Sequence, residues 1–373
     1  MTTTPASAPA KAPVQRRLEK LRARLEEQGL DAILVSQAEN RRYLSGFHGT
    51  AGWLLITRDK AILATDFRYV EQAAQQAPAF EVRQTVGGAD RWFGQLAGQL
   101  GPKRWGFESA HTSLAEYRRL VDAVSQMTQQ VELVPTEGIV EALRAVKDES
   151  ELAALGQAIA LTDAALVHIS SWIAPGQTEQ QVAWELERYM RERGSDGLAF
   201  ETIVGVGPNG AMPHHHPDAT PVREGVPVVI DMGARWDGYC ADMTRTLLLG
   251  RPDDTFKKVY DLVLGAQLTC EETLEAGMTG HQGDALARQV IEQAGYGDKF
   301  GHGTGHGVGL YIHEDPRLAR NVQDTIENGM TVTVEPGIYL PGWGGVRIED
   351  VVLLEGGRAQ LITKAPKLDT ARR

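Results

Sequence analysis

Cysteine and positive charge are both scarce in this chain. Only two of its 373 residues are cysteines, Cys240 and Cys270, which are too few for a disulfide framework. This scarcity is typical of a reducing compartment, so the expected location is the cytoplasm. Acidic residues outnumber lysine and arginine by 49 to 38, which gives a formal net charge of −11. Because nucleic-acid binding needs clustered basic residues, this balance argues against a nucleic-acid partner.

Long apolar runs are also missing from the sequence. No stretch approaches the roughly 18 apolar residues of a membrane-spanning helix, so no membrane partner is expected. The first 15 residues, MTTTPASAPAKAPVQ, lack the apolar core of a secretory signal, and their composition predicts a disordered tail. The remainder is of ordinary globular composition, with 42% hydrophobic and 23% charged residues. Its length predicts one large or two moderate domains.

The two parts of the chain differ in pattern. Residues 16–145 alternate helical and strand-like apolar spacings, which predicts an α/β amino-terminal domain whose first helix begins after Val14. Asp148 and Glu151 are spaced as a helix N-cap and its reciprocal partner, so the domain boundary is placed just before them. Residues 146–373 then form the second domain.

The sequence of the second domain contains two successive segments with the same order of helical and strand-like patterns. Each half combines two helical segments with two strand-like segments, and the strands of each half carry two carboxylates. The predicted helices are at about 149–173, 178–194, 254–276 and 283–294, and the strands are near 228–230, 246–249, 331–334 and 346–354. The parallel predicts an internally duplicated α+β domain.

The first carboxylate pair flanks a hairpin signal. Asp237-Gly238 is a favoured two-residue turn, which would place Asp231 opposite Thr244. Asp242 then points to the same face as Asp231. Two acids beside the apolar run VPVVI would repel each other and lose hydration unless a cation lay between them. A lone aspartate here would more often be a capping or solvated turn residue.

A second pair of acids strengthens the case for a metal. Glu335 ends the apolar segment TVTV, and Glu349 interrupts the apolar segment GGVRIEDVVLL. Four acids at the ends of buried-looking strands are difficult to explain as surface charges. The pattern predicts one metal site that both pairs share.

Histidines lie near these strands in the sequence. The segment GHGTGHGVGLYIHEDP contains His302, His306 and His313 among glycines that permit close backbone approach. A neutral imidazole is a good ligand for first-row metals, and a neighbouring imidazole can stabilise charge. Taken alone, the segment is also compatible with a flexible loop and incidental histidines. A second cluster, His214 to His216, follows GPNGAMP, and a role is expected for only one of the three.

Four motifs occur in a characteristic order: DMGARWDGYCADMTRT, HGTGHGVGLYIHE, TVEPGIY and GVRIEDVVL. With them, and with the early segment YLSGFHGTAGWLLI, the chain resembles the pita-bread metallopeptidases over residues 16–355. Within that family it resembles the proline-specific branch of Xaa-Pro aminopeptidases and prolidases. The resemblance implies a creatinase-like α/β amino-terminal domain and an α+β pita-bread catalytic domain with internal pseudo-duplication. It also implies a homodimer.

The resemblance further implies a centre of two divalent metal ions. Its five ligands would be Asp231, Asp242, His306, Glu335 and Glu349, with Asp242 and Glu349 at or near bridging positions. This oxygen-rich set favours Mn²⁺ or Co²⁺, with Zn²⁺ as a further candidate.

Catalytic roles are implied for several residues around that centre. By the resemblance, His214 and His313 would contact the scissile carbonyl and the developing oxyanion, and His302 would line the proline side of the cleft. Glu335 is expected to relay a proton to the departing nitrogen. Arg347 would orient the histidines or the substrate end, with a structural role beside a ligating carboxylate as its alternative.

The expected activity is removal of the N-terminal residue from peptides with proline in second position. The alternative is an Xaa-Pro dipeptidase, in which Arg41, Arg42 or Arg68, from the same or a partner subunit, would bind the free carboxylate. A methionine aminopeptidase is less favoured, because the separate amino-terminal domain and the GVRIED motif favour the proline-specific branch. A non-catalytic binding protein is also less favoured, since all the implied ligands are present.

Overall fold

The computed structural model describes residues 13–368, and the chain divides into two compact units between Arg144 and Ala145. Most of the predicted tail, residues 1–12, lies outside the described residues. The first helix begins at Pro13, so residues 13–15, which were assigned to the tail, are helical. Proline is accepted at a helix start because its missing N–H would have no intrahelical acceptor there.

One mixed sheet forms the centre of the amino-terminal unit. Its strands are β1 (Ala32–Val35), β2 (Trp53–Thr57), β3 (Ala61–Thr65), β4 (Glu81–Gln84), β5 (Arg104–Glu108) and β6 (Glu132–Thr136). The helices are α1 (Pro13–Glu27), α2 (Ala38–Ser45), α3 (Val70–Gln76), α4 (Ala89–Leu100), α5 (Leu114–Ser125) and α6 (Glu141–Ala145). The strand order is β4-β3-β2-β1-β5-β6, and β1 pairs antiparallel with β2 and parallel with β5. The predicted α/β fold of this part is confirmed.

The carboxy-terminal unit begins with two helices and a set of antiparallel strands. The helices are α7 (Glu149–Trp172) and α8 (Glu179–Glu192). The strands are β7 (Gly197–Leu198), β8 (Ile203–Val206), β9 (Pro227–Met232), β10 (Ala234–Trp236), β11 (Tyr239–Cys240) and β12 (Met243–Leu248). A 3₁₀ helix, Gly207–Ala211, follows β8.

The second half of this unit repeats the arrangement. Its helices are α9 (Asp254–Thr273) and α10 (Gly280–Gln293), followed by a short 3₁₀ helix, Gly297–Lys299. Its strands are β13 (Gly305–Gly307), β14 (Glu314–Leu318), β15 (Thr331–Val334), β16 (Gly337–Leu340), β17 (Gly344–Arg347), β18 (Asp350–Glu355) and β19 (Arg358–Leu361). The second helix of each half starts with a capping box, at Thr178 in α8 and at Thr279 in α10. The predicted duplicated α+β domain is confirmed.

The predicted register of the first hairpin is also confirmed. Asp237 and Gly238 both have positive φ, at 44° and 75°, as the predicted turn requires. Trp236 pairs with Tyr239 across that turn, and Asp231 in β9 pairs with Thr244 in β12.

One helix of the described residues, α7, is long and apolar enough to cross a membrane by length and composition alone. The expectation that no segment approaches this condition is therefore wrong. Leu155, Leu166 and Ile169 of this helix are buried, and Thr162 accepts a hydrogen bond from the backbone N–H of Ala234 in β10. A helix that packs into a protein core has the same length and apolar composition.

Candidate metal centre and cleft

The five implied ligands line one cleft of about 430 Å³ in the carboxy-terminal unit. All of them come from strands or from the residues that adjoin strand ends. Asp231 lies in β9, Asp242 precedes β12, His306 is the central residue of β13, Glu335 follows β15, and Glu349 lies between β17 and β18. Each half of the duplicated unit therefore contributes two acids, and the second half adds the imidazole.

His306 is surrounded by carboxylates. Its Nε2 lies 3.3 Å from Glu335 Oε1 and 3.5 Å from Asp242 Oδ2. Asp242, His306 and Glu349 each offer a ligand atom, and these three atoms lie within 4.8 Å of one another. Burial lowers the pKa of His306 to about 3, so the imidazole is neutral and has a lone pair available for a metal.

Two of the acids, Asp231 and Glu349, each have one carboxylate oxygen that accepts a hydrogen bond and one that receives none from the described residues. Asp231 Oδ2 accepts a hydrogen bond from Arg347 Nη2 at 2.7 Å, and Glu349 Oε2 accepts one from Thr244 Oγ1 at 2.7 Å. Among the described residues, the buried Asp231 Oδ1 and Glu349 Oε1 have no hydrogen-bond donor. An unsatisfied buried carboxylate oxygen is costly, and a bound cation removes that cost.

Crowding of the acids changes their proton affinities. Burial raises the pKa of Asp242, and the charge of Glu349 raises it further. Burial, then Glu335 and Asp231, raise the pKa of Glu349. Burial raises the pKa of Glu335 to about 8. These shifts mean that the cleft retains protons unless another positive charge replaces them, and the side chains fit divalent cations.

Glycine explains how His306 reaches this position. A Cβ at Gly305 would collide with the carbonyl oxygen of Thr333, and a Cβ at Gly307 would collide with that of Asp315. The absence of side chains lets β13 lie against its neighbours, and Thr333 Oγ1 accepts a hydrogen bond from the His306 backbone N–H at 3.0 Å. The interpretation of this segment as a flexible loop is wrong for His306, which is buried in a strand.

The other implied histidines also line the cleft. The ring of His313 contacts the ring of His306 edge to face, with centroids 4.5 Å apart. His302 Nε2 lies 2.8 Å from the hydroxyl of Tyr339, and burial lowers the pKa of His302 to about 4. His214 lines the same cleft.

The three consecutive histidines have different surroundings. All three border the cleft, but His215 Nε2 lies 2.7 Å from the buried carboxylate of Glu179. His216 is exposed and lies 3.2 Å from Glu201. Among them, His214 alone has neither of these acidic partners, and the expectation of a role for only one of the three stays a prediction.

Arg347 joins the acids to the histidines. Its three guanidinium nitrogens donate to Thr244 Oγ1 at 2.9 Å, to the Tyr339 hydroxyl at 2.8 Å and to Asp231 Oδ2 at 2.7 Å. It therefore pairs with an implied ligand and, through Tyr339, contacts His302. The two roles considered for Arg347 are compatible in this geometry.

Sequence reasoning missed several residues of this site. Tyr339 was visible in the motif TVEPGIY, and Thr244 was placed opposite Asp231 without a role. Arg317, in β14, lines the cleft beside His313 and donates to the His313 carbonyl oxygen at 3.2 Å. Its position four residues after a site histidine was the available signal.

Comparison with known proteins identifies the family. Residues 153–355 match the model of metallopeptidase family M24, and residues 17–146 match the creatinase/prolidase N-terminal domain. The chain belongs to metallopeptidase family M24. This M24 protein is a metal-dependent hydrolase with divalent metal ions as its cofactors, and its two domains are those of creatinase-like and pita-bread architecture.

Relatives of this M24 metallopeptidase match it along nearly its whole length. The uncharacterized peptidase YqhT of Bacillus subtilis is 41% identical, over 94% of this chain and 98% of the relative. The structure of an Xaa-Pro dipeptidase from Bacillus anthracis has a TM-score of 0.91 at 42% identity, over 95% of this chain and 99% of that one. An X-Pro aminopeptidase from Thermotoga maritima has a TM-score of 0.84 at 37% identity, over 92% of this chain and 99% of that one.

Metal removal should make the stability of this M24 metallopeptidase depend on pH. The pKa of Glu335 rises from an ordinary 4.5 to about 8 on folding. The metal-free folded chain then holds a proton that the unfolded chain releases, so its free energy of unfolding falls as pH rises toward 8. Above about pH 7.5 the histidines with lowered pKa values, His302, His306 and His313, are neutral in both states, because an unfolded histidine has a pKa of about 6.5, so they do not mask this effect.

Thermal unfolding of chelator-treated protein at pH 7.5 and pH 9, on either side of the Glu335 pKa, measures the effect. We expect the unfolding temperature to fall by roughly 1–3 °C between these pH values, and to fall less after divalent metal is restored. Glu335→Gln, treated in the same way, should show a smaller difference. A metal-free wild type whose unfolding temperature is constant or rises would contradict proton retention by Glu335.

Proposed function

We propose that this chain hydrolyses the peptide bond that precedes proline. The observation that supports it best is the convergence of four carboxylates and one imidazole in a single cleft, with neutral imidazoles beside them. The similarity to an Xaa-Pro dipeptidase and to an X-Pro aminopeptidase supplies the substrate class.

The proposed metal ligands are Asp231, Asp242, His306, Glu335 and Glu349. Because this set is rich in oxygen and contains no thiolate, we propose Mn²⁺ or Co²⁺ as the ions, with Zn²⁺ as a further candidate. Two divalent ions in such a site supply Lewis-acid polarisation of a carbonyl and lower the pKa of an attacking water.

The side chains around the ligands suit the remaining steps. His313 borders His306, and burial lowers the pKa of His313, so its neutral ring can donate a hydrogen bond to the substrate carbonyl oxygen. We assign His214 the same task from its position on the cleft wall. Glu335 is the proposed proton carrier, because its side chain is 17% exposed to the cleft, against 6% for Asp242.

Proline makes specific demands on such a cleft. The Xaa-Pro bond is a tertiary amide without an N–H, so a site cannot hold that residue by a hydrogen bond from its nitrogen. Apolar side chains that can contact the ring line the cleft, namely Phe200, Ile203, Pro213, Ile312 and Ala319. His302 is placed on the proline side in this proposal, held there by Tyr339 and, through Tyr339, by Arg347.

Two substrate lengths remain as candidates. The sequence favoured an aminopeptidase, which accepts chains that continue beyond the proline. Arg317 supports the dipeptidase, because its guanidinium lines the cleft and can bind a free carboxylate.

Two arginines that were considered for binding the free carboxylate already have partners in the amino-terminal unit. Arg41 is buried and donates to the carbonyl oxygens of Ser36, Gly49 and Gly52, and Arg68 pairs with Asp66.

The proposal also includes a cytoplasmic location, which rests on the scarcity of cysteine, and a homodimer, which rests on the family resemblance. A methionine aminopeptidase or a non-catalytic protein of this fold would be distinguished by turnover. We expect hydrolysis of Ala-Pro or Ala-Pro-Ala with Mn²⁺ or Co²⁺ and much slower hydrolysis of Met-Ala-Ser. Metal binding without turnover of any proline peptide would indicate a binding protein.

Substitutions should separate metal ligands from catalytic histidines. Asp242→Ala should lose bound metal, because it removes a carboxylate beside His306. His313→Ala should keep its metal and lower kcat by about 100-fold or more, because it removes a donor to the developing oxyanion. Metal content by inductively coupled plasma mass spectrometry and kcat on Ala-Pro measure both effects. Equal loss of metal in the two variants would contradict this division of roles.

Substrate length is tested with Ala-Pro and Ala-Pro-Ala at equal metal loading. If Arg317 binds the free carboxylate, Arg317→Ala should raise KM for Ala-Pro by about 10-fold or more and change Ala-Pro-Ala less. Arg320→Ala is the control, since Arg320 pairs with Glu292 on the surface. A wild type that strongly prefers Ala-Pro-Ala, with Ala-Pro unaffected by Arg317→Ala, would favour the aminopeptidase.

A further inference from the structure

A buried carboxylate outside the implied ligand set lies beside the three consecutive histidines. Glu179 is the first residue of α8, directly after the N-cap Thr178, and its side chain is completely buried. A buried acid at a helix start is stabilised only if its oxygens receive hydrogen bonds. The identity of its donors therefore shows what this residue holds in place.

Four donors converge on Glu179. Its Oε1 accepts from the backbone N–H of Val206 at 2.7 Å and from Asn209 Nδ2 at 3.0 Å. Its Oε2 lies 2.7 Å from His215 Nε2 and accepts from the backbone N–H of Asp218 at 2.9 Å. One side chain thus fixes the start, the middle and the end of the segment 206–218.

That segment carries His214 into the cleft. His214 precedes His215, whose ring is attached to Glu179, and both residues line the cleft. The backbone on the other side is also fixed, because Glu179 N–H donates to Thr220 O at 3.1 Å. Movement of the His214 backbone relative to the metal ligands would strain these bonds.

A metal-binding role accounts less well for the same atoms. Glu179, His215 and Asp218 have the spacing of a three-residue metal group. Both oxygens of Glu179, however, already accept two hydrogen bonds each, and Asp218 is exposed and accepts from the backbone N–H of Thr220 at 2.7 Å. These contacts satisfy the carboxylates without a cation.

We propose that Glu179, acting with His215, is a positioning residue that holds His214 at the substrate carbonyl. The inference rests on the proposed function, in which His214 contacts that carbonyl. Misplacement of a catalytic group by about 1 Å can cost roughly 100-fold in rate. Loss of the Glu179 contacts should therefore slow catalysis while the metal ligands remain in place.

Two variants and a matched control test the role. Glu179→Gln places an amide against the donors of the segment, and we expect kcat on the preferred Xaa-Pro substrate to fall about 10- to 100-fold with unchanged metal content. Glu187→Gln, in the same helix but paired with Arg191 on the surface, should match wild type. His215→Leu removes one donor and should also lower kcat, whereas His215→Gln retains an N–H donor and should recover much of the loss.

A double variant separates positioning from a general effect on folding. If Glu179 acts through His214, Glu179→Gln should slow His214→Ala little further. Multiplied losses in the double variant, or wild-type kcat in a folded Glu179→Gln, would overturn the inference. If Glu179→Gln does not fold, the comparison of His215→Leu with His215→Gln, each with and without His214→Ala, decides in the same way.

Hydrogen exchange distinguishes failure of this inference from failure of the proposed function. The amides of Val206 and Asp218 should be protected in wild type and should exchange faster in Glu179→Gln. A wild type that cleaves no Xaa-Pro substrate refutes the proposed function, and with it the catalytic part of this inference. Unchanged exchange in Glu179→Gln refutes the anchoring itself, whatever the activity.

Discussion

The central constraint on this structure is the mutual repulsion of four carboxylates that lie together in one largely buried cleft. Asp231, Asp242, Glu335 and Glu349 have one buried cation among their direct contacts in the described residues, the guanidinium of Arg347. Burial and proximity raise the pKa values of three of these acids, and two buried oxygens receive no hydrogen bond from the described residues. Divalent cations resolve both problems at once, which is why we regard the metal centre as the basis of the fold's chemistry.

The duplicated architecture brings the four acids and His306 together with few additional features. Each half of the carboxy-terminal unit ends in antiparallel strands, and acids at their ends converge on one cleft. Thr244 lies opposite Asp231 in the first hairpin and donates to Glu349 of the second half, so its hydroxyl links the two halves, as the contacts of Arg347 with Asp231 and Thr244 also do. Glycines at 305 and 307 let the His306 strand lie close enough to complete the set.

Local patterns in the sequence predicted the features that depend on residues close together in the chain. The Asp237-Gly238 turn predicted which residues of β9 and β12 pair. Acids after apolar strands predicted one metal site shared by both pairs, and the four acids do line one cleft. Contacts between distant residues were not predictable in this way. Arg347 and Asp231 are 116 positions apart, and Glu179 and Asp218 are 39 positions apart. The expectation that no stretch is long and apolar enough to span a membrane also failed, at α7. Composition cannot decide the role of such a helix, because apolar helices of that length occur both in protein cores and in membranes.

Anomalous diffraction from crystals grown with Mn²⁺ tests the central claim most directly. The account predicts two anomalous peaks in the cleft, with Asp231, Asp242, His306, Glu335 and Glu349 as the only protein ligands. Peaks absent from this cleft, or present only beside Glu179, would contradict it.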